Sequence, residues 1–526
     1  MEIQQSSQIG YFRRIRIRQR VGKITNESDV ALRLYALPAA TRFASRLLKV
    51  KSRYMAVAQS NDDDLRHILQ LLKDAAAHYS NGDFEKAEAG YLQALGYGYH
   101  VADILPVLAR IVAKGGALER AVGHWKTLLE LKPNDLEALI ETGALLHRLG
   151  RAGEAVECFA IARSIAPENE LVSSNLAVAL ADSGQRHEAF VEFRRVAARQ
   201  PDNVHVRHQM RRLASRMVPF WHIPMLNDVR RNDAFERAIC RAVEKEGRDA
   251  RILDIGTGSG LLSMMAARAG AANIVTCERV PVIAETAERI VALNGYEKQI
   301  RVVNKDSDQL VIGEDLEARA DILISEILSS DLLAEDVLSA FEDAHARLLR
   351  PGATIIPRAA TAVGCLVESD ILANYAFVDH VSGFDVSPFN ALSTQHLPVH
   401  GTMTSWRRLS QDTDLVRIDL TEKEHKTGTH RLSISVLEDG VAVGIVQWMS
   451  VDLAEGIAFS NHPDDYSDGG WLQVLHTFPQ PISVIAGEHL DVIVGYDRNS
   501  LIVMPVPSPN DDRSKMALGG LNHRDA

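Results

Sequence analysis

The amino-acid sequence predicts a multidomain chain made of an α-helical solenoid, a Rossmann-like doubly wound α/β domain and an antiparallel β-barrel domain, in that order. From residue 65 to 215, four kinds of residue recur at a constant interval. From 216 to 358, short apolar runs alternate with amphipathic helical stretches, which is typical of a mostly parallel sheet covered by helices. From 359 to 506, apolar and polar residues alternate with the period of strands. A chain of 526 residues is long enough for several separate cores.

The repeat in the first region has a period of 34 residues. Glycine, alanine, an aromatic residue and proline keep the same phase in successive units. The residues are Gly82, Gly116, Gly150 and Gly184; Ala87, Ala121, Ala155 and Ala189; Tyr91, Trp125, Phe159 and Phe193; Pro133, Pro167 and Pro201. This is the period of tetratricopeptide (TPR) repeats, in which glycine permits the turn between two helices and proline ends the second helix. We expect a solenoid that binds a protein partner through an extended peptide; a purely structural spacer is the alternative.

The two ends of the chain have a different composition. Residues 1–64 contain a cluster of arginine and lysine residues between positions 13 and 23, with few acids nearby. We interpret this region as a disordered basic segment; a targeting segment, or sequence upstream of a true start at Met55, are the alternatives. Residues 507–526 are polar and predict a disordered tail.

Composition excludes some classes of function. The formal net charge of −11 disfavours binding to nucleic acid, which needs a basic surface. No apolar run approaches the ~18 residues of a membrane span, so we expect no membrane partner. Cysteines are few and lack metal-ligand spacing, which predicts reduced thiols, a cytoplasmic location and no metal site. They are Cys158, Cys240, Cys277 and Cys365.

A strand, a glycine-rich turn, a helix and a second strand follow one another between Arg251 and Glu278. Gly256, Gly258 and Gly260 allow the backbone to turn tightly and to approach a ligand. Glu278 stands at the carboxyl end of the second strand, where acids bind ribose hydroxyl groups.

The spacing of this turn discriminates between cofactors. A dinucleotide-binding fingerprint would need its last glycine at position 261, and the chain has Leu261 there. The pattern D-x-G-x-G-x-G, which starts at Asp254, is instead that of S-adenosylmethionine-dependent methyltransferases. We therefore predict S-adenosyl-L-methionine as the cofactor; an ordinary αβ turn in an unrelated sheet is the alternative.

Two acids follow the fourth predicted strand of the α/β domain. Glu326 stands at its carboxyl end and Glu335 lies nine residues later. Two carboxylates that meet at this edge need a cation between them, and a guanidinium offers a planar fork of donors. The alternative is a helix-capping or solvated acid, since Asp331 and Asp336 show that acids are common here.

The segment Ser325-Glu326 to Glu335 resembles the double-glutamate loop of the protein arginine N-methyltransferases. The stretch from Met225 to Arg231 is similar to the helix that covers the cofactor in that family. By this resemblance Arg231 binds the cofactor carboxylate, and His222 and Met225 lie along the cofactor. The adenine contact would fall at Asp306-Ser307, and Glu326 and Glu335 would bind the substrate and act in catalysis.

The resemblance extends into the third region. The stretch from Ile355 is similar to the junction into the family's β-barrel, and the stretch from Val381 is similar to a barrel segment of its non-asymmetric members. The TPR repeats make the chain most similar to the protein arginine methyltransferase 9 type, whose activity is symmetric dimethylation. A homodimer is expected by analogy with single-module relatives. We also expect a hairpin turn at Asp439-Gly440.

The family's barrel loop usually reads Thr-His-Trp, whereas this chain has Gly469-Gly470-Trp471. We expect Trp471 to contact the substrate; filling the barrel core is the alternative. The sequence thus predicts a protein arginine N-methyltransferase whose Arg-rich protein or peptide substrates are recruited by TPR repeats. Two other hypotheses are a small-molecule methyltransferase and a catalytically impaired, cofactor-binding scaffold.

Overall fold

A computed structural model of the chain describes residues 62–98, 101–465 and 470–506. The predictions for the basic N-terminal segment, for Met55 and for the polar tail lie outside these residues, as does Gly469. The described residues divide into two compact units at Leu149 and Gly150, and each unit is described by itself.

The first unit is formed by helices that pack consecutively against one another. They are α1 Asp62–Ser80, α2 Phe84–Gly96, α3 Val101–Lys114, α4 Leu118–Leu131 and α5 Leu136–Arg148. Gly82 and Gly116 have φ values of +82° and +87°, which favour glycine, and each lies between two paired helices. Ala87, Ala121 and Trp125 are almost completely buried, as expected for residues at a helix contact.

The second unit begins with four more helices that pack in the same consecutive way. They are α6 Ala152–Ile165, α7 Glu170–Asp182, α8 Arg186–Arg199 and α9 Val204–Met217. Gly184 has a φ of +86°, and Ala155 and Ala189 have no exposed surface. Arg194 on α8 forms an ion pair of 2.7 Å with Glu285, which belongs to the α/β domain that follows.

The α/β domain is built on a five-stranded parallel sheet with the order β3-β2-β1-β4-β5. Its strands are β1 Arg251–Ile255, β2 Asn273–Cys277, β3 Ile300–Val303, β4 Ala320–Ser325 and β5 Leu349–Ile356. Its helices are α10 His222–Leu226, α11 Val229–Glu246, α12 Leu261–Arg268, α13 Pro281–Leu293 and α14 Val337–Asp343. The strands β1 and β4, at the centre of the sheet, are apolar and nearly fully buried, which is the pattern of a parallel sheet.

The sequence predicts one helix over residues 335–349, and the structure differs at both ends of it. Helix α14 starts at Val337, and residues 344–348 form a π-helical turn that leads directly into β5. The wider turn ends the helix and directs the side chain of Arg347 towards residues 307–310. This segment includes Ser307, one of the two residues predicted to contact adenine.

The β-rich domain consists of antiparallel sheets. The seven-stranded sheet has the path β10-β6-β13-β15-β9, with β11 on β6 and β14 on β13; the three-stranded sheet has the order β12-β16-β17; β7 pairs with β8. The strands are β6 Ala359–Glu368, β7 His380–Val381, β8 Phe384–Asp385, β9 His396–Val399, β10 Arg407–Arg408, β11 Thr413–Asp419, β12 Gly428–Ser435, β13 Gly440–Ala454, β14 Ile457–Ser460, β15 Gln473–Val484, β16 His489–Tyr496 and β17 Leu501–Pro505. A short helix, α15 Asp370–Ala376, follows β6.

The predicted hairpin at Asp439-Gly440 is wrong. Strand β12 pairs with β16, whereas β13 pairs with β6, β14 and β15, so the two strands on either side of the turn lie in different sheets. Asp439 instead uses its carboxylate to accept the N–H of Ala486 at 2.8 Å. A local turn signal therefore marks the passage between sheets and not a pairing.

One hydrophobic core joins the parallel sheet to the β-rich domain. Helix α11 contacts β4 and β5 and also β13 and β14, so it lies between the two. This packing places the β-rich domain beside the carboxyl edge of the parallel sheet. In the described ranges, none of the helices has the length and apolar character needed to cross a membrane.

Candidate active site

The glycine turn, residues 256–260, lies at the carboxyl end of β1. Gly256, Gly258 and Gly260 all have positive φ, at +88°, +52° and +80°. The N–H of Gly256 donates to the carbonyl of Cys277 at 3.1 Å, which fixes the turn against β2. A methyl group on Gly256 would lie 2.7 Å from the side chain of Ile327, so the position has room only for glycine.

Two residues predicted to bind the cofactor do not line the cavity at this edge. Asp254 is 1% exposed and accepts the hydroxyl of Ser263 at 2.6 Å, and burial raises the pKa of its carboxyl group to about 6. Gly260 faces Val291 on α13. Both residues lie behind the turn, because β1 and the start of α12 direct them into the core. The structure therefore places these two residues outside the cavity wall, where they support the turn; their contact with the cofactor stays a prediction.

Glu278 directly follows β2 and lines the cavity. Its carboxylate accepts the N–H of Gly258 at 3.2 Å and that of Val280 at 2.9 Å. These bonds aim the carboxylate along the glycine turn, where a ribose would lie. Its exposed fraction is 8%.

Two further segments contribute the other predicted cofactor contacts. His222 and Met225 on α10, and Asp306 and Ser307 after β3, line the same cavity. Burial lowers the pKa of His222, so its ring is neutral, and its buried Nδ1 has no hydrogen-bond partner. An unpartnered buried nitrogen beside a cavity is typical of a group that a ligand completes.

Arg231 is placed by the start of α11. Asp228 accepts the N–H of Arg231 at 3.0 Å and so forms the N-cap, which puts Arg231 in the first helical turn. Its guanidinium lies 5.0 Å from the ring centre of Phe235 and 5.5 Å from that of Trp471. It forms an ion pair with Glu326, and both side chains are only 4% exposed.

The acid loop, residues 326–335, carries both predicted catalytic acids, and Glu326 and Glu335 line the same cavity. Burial raises the pKa of Glu326 to about 7, although Arg231 acts in the opposite direction. Burial also raises the pKa of Glu335, and Arg279 opposes that shift. The charge of Glu335 also raises the pKa of Glu326, and a cation bound between the two acids would relieve this repulsion.

Trp471 lines the cavity and is 5% exposed. Its indole N–H donates to the carbonyl of Leu328 at 2.9 Å, and the N–H of Leu472 donates to the hydroxyl of Ser330 at 3.0 Å. The residue thus does more than fill the core of the β-rich domain, because it holds the acid loop in place.

The cavity has a volume of about 720 Å³, which is within the usual range of about 300–1,000 Å³ for ligand sites. Buried polar atoms without protein partners lie on its wall, namely Nδ1 of His222 and Nε of Arg231. These features fit S-adenosylmethionine, which has a carboxylate, a ribose and an adenine to bind.

Some residues of the cavity were not identified from the sequence. Arg279 and Lys305 line it, as does His396 from strand β9. Arg279 could have been found, because it directly follows the predicted ribose acid. His396 gives no local signal, since it reaches the cavity only through the pairing of β9 with β15.

Known proteins resemble this chain in sequence, and solved structures match part of it. A family model described as ribosomal protein L11 methyltransferase (PrmA) matches residues 238–357. The chain is 37% identical over 292 residues to the arginine N(omega)-methyltransferase of Streptomyces achromogenes subsp. streptozoticus, covering 55% of this chain and 80% of that protein. It is 26% identical over 319 residues to protein arginine N-methyltransferase 7 of Drosophila erecta, covering 53% of this chain and 46% of that protein. The solved Trypanosoma brucei PRMT1 enzyme-prozyme complex with AdoHcy matches with a TM-score of 0.47 and 23% identity, over 53% of this chain and 89% of that chain.

The chain spans about half the length of the protein arginine N-methyltransferase 7 relatives that it matches. It spans most of the Streptomyces enzyme, at an identity above 30%. The acid loop, the glycine turn and Glu278 converge on one cavity of cofactor size. The chain therefore belongs to the family of S-adenosylmethionine-dependent arginine N-methyltransferases.

Proposed function

We propose that this chain transfers methyl groups from S-adenosylmethionine to the guanidinium nitrogen atoms of arginine residues in protein substrates. One observation carries the proposal: Glu326 and Glu335 line the same cavity as the glycine turn and Glu278. Two carboxylates in a partly buried site favour a cation between them. A guanidinium stays charged at neutral pH and offers donors to both acids.

Most of the residues predicted from the sequence would hold the cofactor. They are His222, Met225, Arg231, Gly256, Gly258, Glu278, Asp306 and Ser307. When bound, S-adenosylmethionine supplies a methyl group activated by a positively charged sulfur. Arg231 keeps Nε without a partner while it is paired with Glu326, so it can receive a cofactor carboxylate without leaving that acid.

The two acids would orient the substrate. Glu326 and Glu335 fix the plane of the guanidinium, which aims one nitrogen and reduces the freedom lost during the reaction. Glu326, with a pKa that burial raises to about 7, is suited to accept a proton near neutral pH. Trp471 and Leu472 keep the acid loop in register through their bonds to Leu328 and Ser330.

Substitution of the two acids tests this function. We expect Glu326→Gln and Glu335→Gln each to lower transfer of labelled methyl groups to an Arg-rich peptide by about 10²-fold or more, because each removes charge that stabilises the reacting group. Glu285→Gln is the control, since Glu285 lies on α13 outside the cavity. Full activity in both cavity variants would refute the proposal.

We further propose that the repeat region is a TPR array that recruits the protein substrate, as in the protein arginine methyltransferase 9 type. The constant 34-residue phase and the positive φ of its glycines support this interpretation. A variant that lacks residues 65–200 should keep its affinity for the cofactor product and lose most of its activity on a protein substrate. Its activity on a short peptide should remain.

A second candidate substrate is free arginine. The Streptomyces relative is named an arginine N(omega)-methyltransferase, whereas the Drosophila relative is named for protein arginine. Arg279 lines the cavity and is exposed, so it would offer a cation to the α-carboxylate of a free amino acid. If free arginine is the substrate, L-arginine will compete with the peptide, and Arg279→Gln will weaken that competition while peptide methylation stays unchanged.

A homodimer is also part of the proposal. The segment 375–392, around the β7-β8 pair, exposes a group of large apolar side chains. They are Tyr375, Val381, Phe384, Phe389 and Leu392, each at least half exposed. Exposed large apolar side chains that are grouped in one segment are typical of a protein-protein contact.

A further inference from the structure

Gly470 stands where the family's barrel loop carries histidine, and another part of the chain fills the space of that side chain. A methyl group on Gly470 would lie 2.6 Å from Cα, 2.7 Å from N and 2.8 Å from Cβ of Met225. Two of these atoms belong to the main chain of α10 and cannot rotate away. No side chain therefore fits at position 470 while α10 keeps its position.

Helix α10 is short and has little buried surface to hold it in place. It is only five residues long and has no fully buried residue, yet His222 and Met225 line the cavity. The side chain of Asn232 donates to the carbonyl of Leu226 at 2.9 Å, which fixes only its C-terminal end. The close approach of Gly470 to Met225 is thus a large part of what places this helix over the cavity.

The residues directly after Gly470 bind the acid loop. Trp471 donates to Leu328 and Leu472 donates to Ser330, at 2.9 and 3.0 Å. The side chain of Gln447, which has no exposed surface, donates to the carbonyl of Ser330 at 3.4 Å. Residues 470–472 therefore contact α10 on one side and the acid loop on the other.

We propose that Gly470 is a positioning residue. Residues 470–472 contact both α10 and the acid loop and so fix the distance between them. The lack of a side chain at 470 is then a requirement of cofactor binding in this chain and not the loss of a catalytic group. The role in cofactor binding rests on the proposed function, whereas the contact with α10 does not.

The first measurement is amide hydrogen exchange in the full-length protein without cofactor. In Gly470→Ala, the amides of Met225 and Asn227 should exchange about tenfold faster or more, because the added methyl group displaces α10. Gly153→Ala is the matched control: Gly153 is exposed on α6, and a methyl group there meets no atom within 4 Å. Unchanged exchange in Gly470→Ala would overturn the proposal.

Calorimetry with S-adenosylhomocysteine then distinguishes the contact of Gly470 with α10 from the contact of Trp471 with the acid loop. Gly470→Ala should raise the Kd by about tenfold or more, while Gly153→Ala leaves it unchanged. Trp471→Phe keeps an aromatic ring and removes the donor to Leu328, so kcat should fall by a larger factor than the Kd rises. A Kd for Gly470→Ala equal to that of the wild type would contradict the positioning role.

Restoring the family's histidine gives the sharpest contrast. Gly470→His should bind S-adenosylhomocysteine more weakly than the wild type and should not transfer methyl groups faster. Faster transfer with unchanged affinity would show that the missing histidine limits catalysis, and would refute the proposal. If the wild-type protein does not bind S-adenosylhomocysteine, the proposed function fails, and the exchange comparison still decides the contact with α10.

Discussion

The guanidinium of Arg231 and the carboxylate of Glu326 form an ion pair that is almost completely removed from water, with both side chains 4% exposed. A buried charge has a large desolvation penalty unless an opposite charge is paired with it, so each of these two residues stabilises the charge of the other. A substrate guanidinium would therefore meet Glu326 already in contact with one arginine. Glu335, which Arg279 influences only through space, is the acid with more capacity for the incoming cation.

The raised pKa of Glu326 predicts opposite pH dependences for stability and activity. The folded protein holds a proton on Glu326 up to a pKa of about 7, whereas the unfolded chain loses it near the ordinary value of 4.5. The contribution of Glu326 to the free energy of unfolding is therefore fully present below about pH 4.5 and is lost as the pH rises through about 7. Activity should rise through the same window, because only the carboxylate accepts a guanidinium.

Two measurements check this prediction. Denaturant unfolding at several pH values should show a decline for the wild type that is smaller in Glu326→Gln by roughly 3 kcal/mol. The kcat/KM of the wild type should increase between about pH 6 and pH 8. A flat profile for kcat/KM, or equal pH dependence of stability in the two proteins, would contradict the assignment.

At the scale of elements, the π-helical turn after α14 supports the segment predicted to contact adenine. Arg347 in this turn donates to three carbonyl groups, those of Ser307 at 3.3 Å, Asp308 at 3.0 Å and Leu310 at 2.8 Å. Asp343 pairs with the same guanidinium. The segment predicted to contact adenine is therefore held by a residue that does not itself line the cavity.

Removal of this support should weaken cofactor binding without affecting catalysis directly. We expect Arg347→Met to raise the Kd for S-adenosylmethionine about tenfold while kcat at saturation stays close to that of the wild type. Arg417→Met is the control, because Arg417 donates to Thr361 and Asp452 in the β-rich domain and does not line the cavity. Equal affinities for the two variants, measured by calorimetry, would show that Arg347 has no such role.

At the scale of the whole molecule, the apolar segment 375–392 predicts self-association. Phe384 and Phe389 are 72% and 65% exposed, and a charge at both positions should prevent an apolar contact between two copies. Sedimentation should find a dimer for the wild type and a monomer for Phe384→Asp/Phe389→Asp. Leu293→Asp is the control, since Leu293 is 86% exposed on α13, away from this segment in the sequence. A monomeric wild type would contradict the expectation.

The parts of the site that could be predicted are those with a local physical cause. A backbone with positive φ requires glycine, so Gly256 and Gly258 revealed the turn, and Glu278 followed from its place after β2. The 34-residue period is equally local, because each unit repeats the same helix contact. Glu326 and Glu335 followed from the end of β4.

Only the tertiary structure decided how these segments meet. The prediction of a hairpin at Asp439-Gly440 was wrong because strands pair with partners that are far away in the sequence, and a local turn pattern does not identify those partners. The pairing of Arg231 with Glu326, and the contact of Gly470 with Met225, join residues that are far apart in the chain. The sequence by itself determined the chemical groups and their local backbone; folding decided which of them share one desolvated cavity, because burial and close packing arise only between segments.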